Sequence, residues 1–260
     1  MGVLDKFSLK GRIALVSGGA GPLFGSSISE ALAEAGATLI TASRSLERNG
    51  EFAEGLRRQG YEAHALQLDI TSTESIAQLR AQVLERFGRL DVLVNSAVVA
   101  RGGGFEEQTP EHWEHSARGN MTGLFAMCKA FVPGMAAHGR GSILNISSIY
   151  GVVANDPSLY LGTEMRQPPD YTFVKAGMIN FTRYLANYYG KHGVRANCLC
   201  PGGYYNDQPA TFLENYTRRC PIGRMLDNED LKGAVVFLAS DASAYITGAA
   251  LMVDGGWTSL

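Results

Sequence analysis

The chain has 260 residues, 45% hydrophobic and 18% charged, with a formal net charge of -2 at pH 7. That is enough apolar side chain to offset ordering entropy and build a core, and too little net charge to make nucleic acid or an anionic membrane the main partner. Glycine is the outlier at 31 residues, where a usual share of roughly 7% would give about 18; with only 9 prolines the excess is neither collagen-like nor low-complexity.

Residues 12–17 (RIALVS) form a continuous apolar run, the mark of a strand buried on both faces. After a glycine-rich turn, Ile28, Ala31, Leu32 and Ala35 recur at helical spacing and Gly36 supplies a stop. Strands are predicted over 38–43 and 63–68, with helices over 46–59 and 73–87 closed by Gly60 and Gly88. A fourth strand covers 90–97 (LDVLVNSA), one or two helices cover 110–138, and a fifth strand covers 142–147. Then come a helix over 171–189, a strand over 194–199, a helix over 229–239 and a last strand over 249–253. Seven mostly apolar strands separated by helices predict an α/β chain: one doubly wound, Rossmann-type domain over residues 1–260, with a seven-stranded parallel sheet. No linker, repeat or charge run marks a second domain. The longest aperiodic stretches, 100–109, 150–170 and 201–227, follow later strands at their carboxyl ends, where open α/β sheets place their ligands, and they read as substrate-side loops.

No uncharged apolar run approaches the roughly 18 residues of a membrane span, and the N-terminal stretch has no apolar core before a small-residue cleavage site. A cytoplasmic protein without a membrane partner is expected. Cys128, Cys198, Cys200 and Cys220 lack metal-site spacing and read as buried thiols, so no metal is expected. His112 and His115, among Glu111 and Glu114, read as a solvated helix face.

Between the first strand and first helix stands S-G-G-A-G-P-L-F-G, residues 17–25. Gly18, Gly19, Gly21 and Gly25 let a backbone turn tightly and approach a pyrophosphate, whose charge meets the free N–H groups of the helix start. A plain strand-to-helix turn is the alternative for such a motif by itself. Pro22 cannot donate, which leaves Ser26 and Ser27 as further donors. Ser43 and Arg44 end the second strand, where an acid would bind a ribose 2′-OH and an arginine suits a 2′-phosphate. The sequence therefore favours NADP(H) and leaves NAD(H) open, should Arg44 only stack on adenine or face solvent. Asp69, ending the third strand, is the candidate for the adenine ring.

Tyr171 and Lys175 lie four residues apart, hence on one helical face. A phenol with pKa of about 10 is a poor acid–base group at neutral pH, and a neighbouring ammonium lowers that value. Such a pair could pass a proton to or from an alcohol oxygen while a hydride moves at carbon. Ser147 and Ser148 end the fifth strand with hydroxyls able to orient that oxygen, and Asn120 places an amide in the preceding helical stretch, where it is an indifferent helix former.

With these residues the chain resembles the short-chain dehydrogenase/reductase family over nearly its whole length, and within it the gluconate-dehydrogenase-like and surface-sugar-pathway members. The resemblance implies a catalytic tetrad of Asn120, Ser148, Tyr171 and Lys175. In it Tyr171 is the general acid/base and Ser148 holds the substrate oxygen. Lys175 binds the nicotinamide ribose and lowers the tyrosine pKa, and Asn120 supports a water-mediated proton relay. Family-like segments at 93–97, 201–203 and 253–256 further imply Asn95, Pro201 and Gly202 on the cofactor beside Tyr171 and Lys175. It also implies a homotetramer built through the helices around 110–138 and 171–190 and through the last strand. Three features depart from the family pattern. The glycine motif has an apparent extra residue against T-G-x-x-x-G-x-G, N-N-A-G reads Asn95-Ser96-Ala97-Val98, and Ser148 and Tyr171 stand 23 positions apart instead of about a dozen.

The extra segment, 158–169, enters beside Tyr171 and carries Tyr160, Thr163, Glu164, Arg166 and Gln167; residues 204–208 add Tyr204, Tyr205, Asn206, Asp207 and Gln208. Such hydrogen-bonding groups suit a polyhydroxylated substrate better than an acyl chain, because unpaired polar groups are costly around methylenes; solvated loop residues are the plain alternative. The first expectation is an NAD(P)-dependent oxidoreductase for a sugar, sugar acid or polyol, with Glu164, Arg166 and Tyr205 on the substrate. If Arg101 or Arg166 faces the pocket, an anionic sugar fits. A 3-oxoacyl-carrier-protein reductase, or a reductase of another apolar ketone, comes second, and a non-catalytic NADP-binding protein third. Trp257 suits an oligomer contact or a pocket wall equally, and Gly102, Gly103 and Gly104 suit a mobile rim.

Overall fold

Seven parallel strands lie in the order β3-β2-β1-β4-β5-β6-β7 in the computed structural model, which describes residues 2–99 and 102–259. They are β1 (Ile13–Ser17), β2 (Thr38–Ser43), β3 (Ala63–Gln67), β4 (Val92–Asn95), β5 (Gly141–Ile146), β6 (Val194–Pro201) and β7 (Ala250–Val253). The chain runs outward from β1 to β3, then returns across β1 to place β4 on its other side. That reversal opens a crevice at the carboxyl ends of β1 and β4.

The unbroken apolar strands follow from helices on both faces. Leu15, Ile40, Leu93 and Ile143 point toward α3 (Thr73–Phe87), α5 (Leu124–Ala137) and α6 (Pro169–Tyr189). Their chain neighbours Val16, Leu39, Val94 and Leu144 point the other way, toward α1 (Phe24–Glu34), α2 (Leu46–Arg58) and α8 (Lys232–Ala239). With a two-residue period and both faces dry, polar alternation disappears. All four cysteines are buried free thiols.

Two elements differ from the expected pattern. Residues 201–227 contain a helix, α7 (Ala210–Arg219), that burial of Phe212 and Tyr216, four apart, ties to the rest. Its other positions are mostly polar, so its composition reads as loop. Within 110–138, α4 (Pro110–Ala117) and α5 are joined by one π-helical turn, Arg118–Gly123. Beyond the sheet, Tyr150, Leu159, Phe212, Tyr216 and Trp257 form a third, smaller core. Among the described residues no helix is long and apolar enough to cross a membrane.

Candidate active site

A cleft of about 340 Å³ lies at the crevice, with Gly18, Gly21, Gly25, Ser43, Arg44 and Asp69 in its walls. Gly18 takes φ +72°, and a Cβ there would lie 3.0 Å from the Ala97 Cα; a Cβ on Gly25 would collide with the Gly18 carbonyl oxygen. The loop folds back so closely that only hydrogen fits, which leaves bare main chain and the start of α1 facing the cleft. This cradle fits a dinucleotide phosphate. Gly19 is not in the wall: a Cβ there would sit 2.7 Å from the Ser29 and Thr41 hydroxyls, so it serves close packing of α1 on β2. Ser27 is engaged as well, donating to the Asn228 carbonyl, which leaves Ser26 of the two.

Asp69 accepts from the Thr71 amide at 2.9 Å and the Thr71 hydroxyl at 2.7 Å. Those bonds, the hydroxyl's first, hold its carboxyl below the usual range, with smaller help from the charges of Arg44 and His115. His115 itself lines the cleft, and neither it nor His112 is fully exposed, so the solvated-face expectation is corrected. Asn95 is corrected too. Its amide is turned inward, donating to Asn145 Oδ1 at 2.8 Å, where it ties β4 to β5 and does not reach the cleft. Pro201 and Gly202 lie at the end of β6, outside this cleft; Gly202 is packed under the Tyr216 hydroxyl, 2.8 Å from where a Cβ would be.

At the end of β5 the two serines part. Ser147 Oγ donates to the Lys175 carbonyl at 2.9 Å and anchors α6 to the sheet. Ser148 Oγ accepts the Tyr150 amide at 3.2 Å and is hydrogen-bonded to the Tyr171 phenol. Pro169 sits in the first turn of α6, where a missing N–H has no partner to lose, and Tyr171 and Lys175 follow one turn apart. Lys175 Nζ stands 5.4 Å from the Tyr171 ring centroid and donates to the Ile146 carbonyl at 2.6 Å.

The electrostatics differ from expectation. Burial pushes the Tyr171 phenol above its ordinary value, and the Ser148 bond offsets only part of that. Lys175 is buried as well, and burial brings its ammonium down to about 8. The same desolvation that penalises the lysine charge penalises the phenolate, so the simple lysine-driven depression does not appear. Asn120, on the π-helical turn, clamps Val99: Oδ1 accepts its amide at 2.8 Å, while Nδ2 donates to its carbonyl at 2.5 Å and to Ser116 Oγ at 3.0 Å. The side chain thus fixes the exit of β4 and has no N–H left for a water relay.

The 158–169 segment and α7 cover this end of the sheet together. Asp156 pairs with Arg219, and Asn215 Nδ2 donates to the Leu159 and Leu161 carbonyls, each at 3.2 Å. The Arg219 guanidinium lies 4.7 Å from the Trp257 ring centroid, and Tyr216 stacks on the same ring. Trp257, 1% exposed, is the centre of this cap and neither an oligomer contact nor a pocket wall. Arg166 is turned to the carbonyls of Thr163 (3.2 Å) and Met165 (2.9 Å), and its stem passes Gly104. Tyr205 donates to Asp207 Oδ1 at 3.2 Å, and both Tyr205 and Glu164 are exposed. Local hydrogen bonds therefore hold Arg166 and Tyr205. Arg101 lies outside the described residues.

Sequence reasoning passed over Tyr150, whose hydroxyl meets that of Tyr160 at 3.1 Å; its position two residues beyond Ser148 was the available signal.

Three comparisons bear on this geometry. A family model described as enoyl-(acyl carrier protein) reductase matches residues 23–258. A 2,5-dichloro-2,5-cyclohexadiene-1,4-diol dehydrogenase of Sphingobium indicum is 33% identical over 258 residues, covering 96% of this chain and 97% of that protein. Among solved structures, a gluconate 5-dehydrogenase from Burkholderia cenocepacia in complex with NADP and tartrate superposes with a TM-score of 0.90 at 30% identity, covering 100% of both chains. A short-chain dehydrogenase from Leptospira borgpetersenii with bound NAD+ gives 0.85 at 31% identity, covering 99% of this chain and 96% of that one.

Proposed function

The chain belongs to the short-chain dehydrogenase/reductase family and acts on CH–OH groups, and from that premise we propose that it moves a hydride between a nicotinamide and an alcohol or ketone carbon of a sugar, sugar acid or polyol. The observation that carries the reading is the meeting of Ser148, Tyr171 and Lys175 where β5 ends and α6 begins. Tyr171 takes the hydroxyl proton as the carbonyl forms, or returns it in reduction. Ser148 holds the reacting oxygen, Lys175 supplies the adjacent cation, and Asn120 steadies the 96–99 segment. Gly18, Gly21 and Gly25 would hold the dinucleotide phosphates, with Ser43, Arg44 and Asp69 on the adenosine side. When bound, the dinucleotide supplies or accepts the hydride.

Arg44 on the cleft wall supports NADP(H) over NAD(H), since a guanidinium matches a 2′-phosphate. A substrate with several hydroxyls accords with the diol and gluconate chemistry in the names of two relatives. Exposed Phe125 on α5 and Phe173, Tyr184 and Tyr188 on α6 make an aromatic face suited to burial between copies, supporting a homotetramer through these helices and the edge strand β7. Four free cysteines accord with the cytoplasm.

The test is a panel of sugars, sugar acids and polyols, plus one 3-oxoacyl thioester, each with NADP(H) and NAD(H), followed at the nicotinamide absorbance. The hydroxylated compounds should turn over with NADP(H) preferred; turnover of the thioester alone would move the assignment to a carrier-protein reductase. Tyr171→Phe should lower kcat by about 100-fold or more while dinucleotide binding persists. Full activity in that variant would remove Tyr171 from the chemistry, and absence of turnover in the parent chain would favour a dinucleotide-binding protein without catalysis.

A further inference from the structure

We propose that Tyr150 is a specificity-determining residue whose phenol oxygen accepts a hydrogen bond from a second substrate hydroxyl, so that the enzyme selects diols and polyols over mono-alcohols. The inference rests on the oxidoreductase reading above and narrows its substrate.

Tyr150 follows Ser148 by two residues, on the 3-10 turn Ile149–Gly151, with its amide donating to Ser148 Oγ. Its side chain is buried, at 8% exposed, in the small core against which Tyr171 packs, and the nearby Tyr171 phenol opposes its ionisation. The direction of its hydrogen bond follows from the groups in the chain. Tyr160 lies 3.4 Å from Gln167 Oε1, a carbonyl oxygen that can only accept, so Tyr160 donates its one proton there. Across the 3.1 Å contact between the two phenols, the proton is therefore that of Tyr150. Burial holds the Tyr150 phenol well above its ordinary pKa, so it keeps that proton across the working range.

Tyr150 thus has its donor directed at Tyr160, and no donor among the described residues reaches its lone pairs. A substrate hydroxyl completes the set. A carbonyl or carboxylate oxygen in the same place would set lone pair against lone pair, and a methylene would leave the buried oxygen unpaired. Both Tyr160 and Gln167 come from the 158–169 segment, so the extra residues beside Tyr171 polarise a phenol that belongs to the turn after β5.

The experiment compares kcat/KM for cis-cyclohexane-1,2-diol, cyclohexanol and 2-hydroxycyclohexanone in the parent enzyme, Tyr150→Phe and Tyr160→Phe, with D-gluconate as a further hydroxylated substrate. The parent should prefer the diol to cyclohexanol, and Tyr150→Phe should cut that preference about tenfold, mainly through KM for the diol. Tyr160→Phe frees the Tyr150 proton to donate, so the hydroxyketone should gain on the diol. A diol preference that survives Tyr150→Phe, or equal losses on diol and cyclohexanol, overturns the inference while leaving the general function standing. If the parent oxidises neither the diol nor D-gluconate, the function proposed above falls, and this inference with it.

Discussion

Lys175→Met should give a protein that has lost turnover yet is more stable than its parent at neutral pH. Lys175 is 5% exposed, its ammonium donates to the Ile146 carbonyl, and among the described residues no carboxylate pairs with it. Its pKa falls from 10.5 to about 8, for which desolvation is the leading cause. At about 1.4 kcal/mol per pH unit, that makes the folded chain about 3 kcal/mol less tolerant of the charge than the unfolded chain. Methionine fills a similar volume without a charge, and losing the bond to Ile146 returns about 1 kcal/mol of the gain. The variant should therefore be about 2 kcal/mol more stable at pH 7. The sign reverses with pH. Between about 8 and 10.5 the unfolded chain holds a proton that the native lysine has released, so the parent gains stability as pH rises through that window and overtakes the variant within it, at about pH 9.5. Urea unfolding of both proteins from pH 6.5 to 10.5 checks this. Taking the difference at each pH leaves the lysine's own ionisation as the leading contribution, because Cys198 and Cys200, whose thiols burial pushes up, feel the lysine charge only as a smaller influence. A variant less stable at pH 7, by an amount that does not change with pH, would refute the reasoning.

Gly25→Ala should destabilise by about 1–3 kcal/mol and weaken dinucleotide binding, since the added carbon meets a main-chain oxygen that cannot yield; Gly50→Ala in α2, where nothing lies within 4 Å, should instead stabilise by about 0.5–1 kcal/mol. Thermal melts with and without NADP separate the two effects. Because burial holds Tyr171 above its ordinary pKa, the phenolate grows about tenfold per pH unit below that value, and alcohol oxidation should climb steadily from pH 7 to 9. A plateau beginning below pH 8 in kcat/KM for oxidation would contradict that.

What the chain determined by itself was whatever local periodicity encodes. Apolar runs over 12–17 and 38–43 became strands because both sheet faces are covered, and the glycines after β1 became a cradle because no side chain fits there. Tyr171 and Lys175 could be placed on one face because a four-residue spacing on a helix allows nothing else. The tertiary structure decided everything that depends on what lies across the gap. Ser147 and Ser148 are alike in sequence, yet one is taken by the Lys175 carbonyl and the other meets Tyr171, because consecutive residues leaving a strand point to opposite sides. Asn95 turned inward to Asn145, Asn120 closed on Val99, and α7 formed from a polar segment whose two buried aromatics found Trp257. Lys175 was expected to tune the phenol, but burial set both groups' ionisation, and burial is contributed by segments far apart in sequence. Residue type fixes which hydrogen bonds and charges are available; only packing fixes which partner each one finds and how much water remains around it.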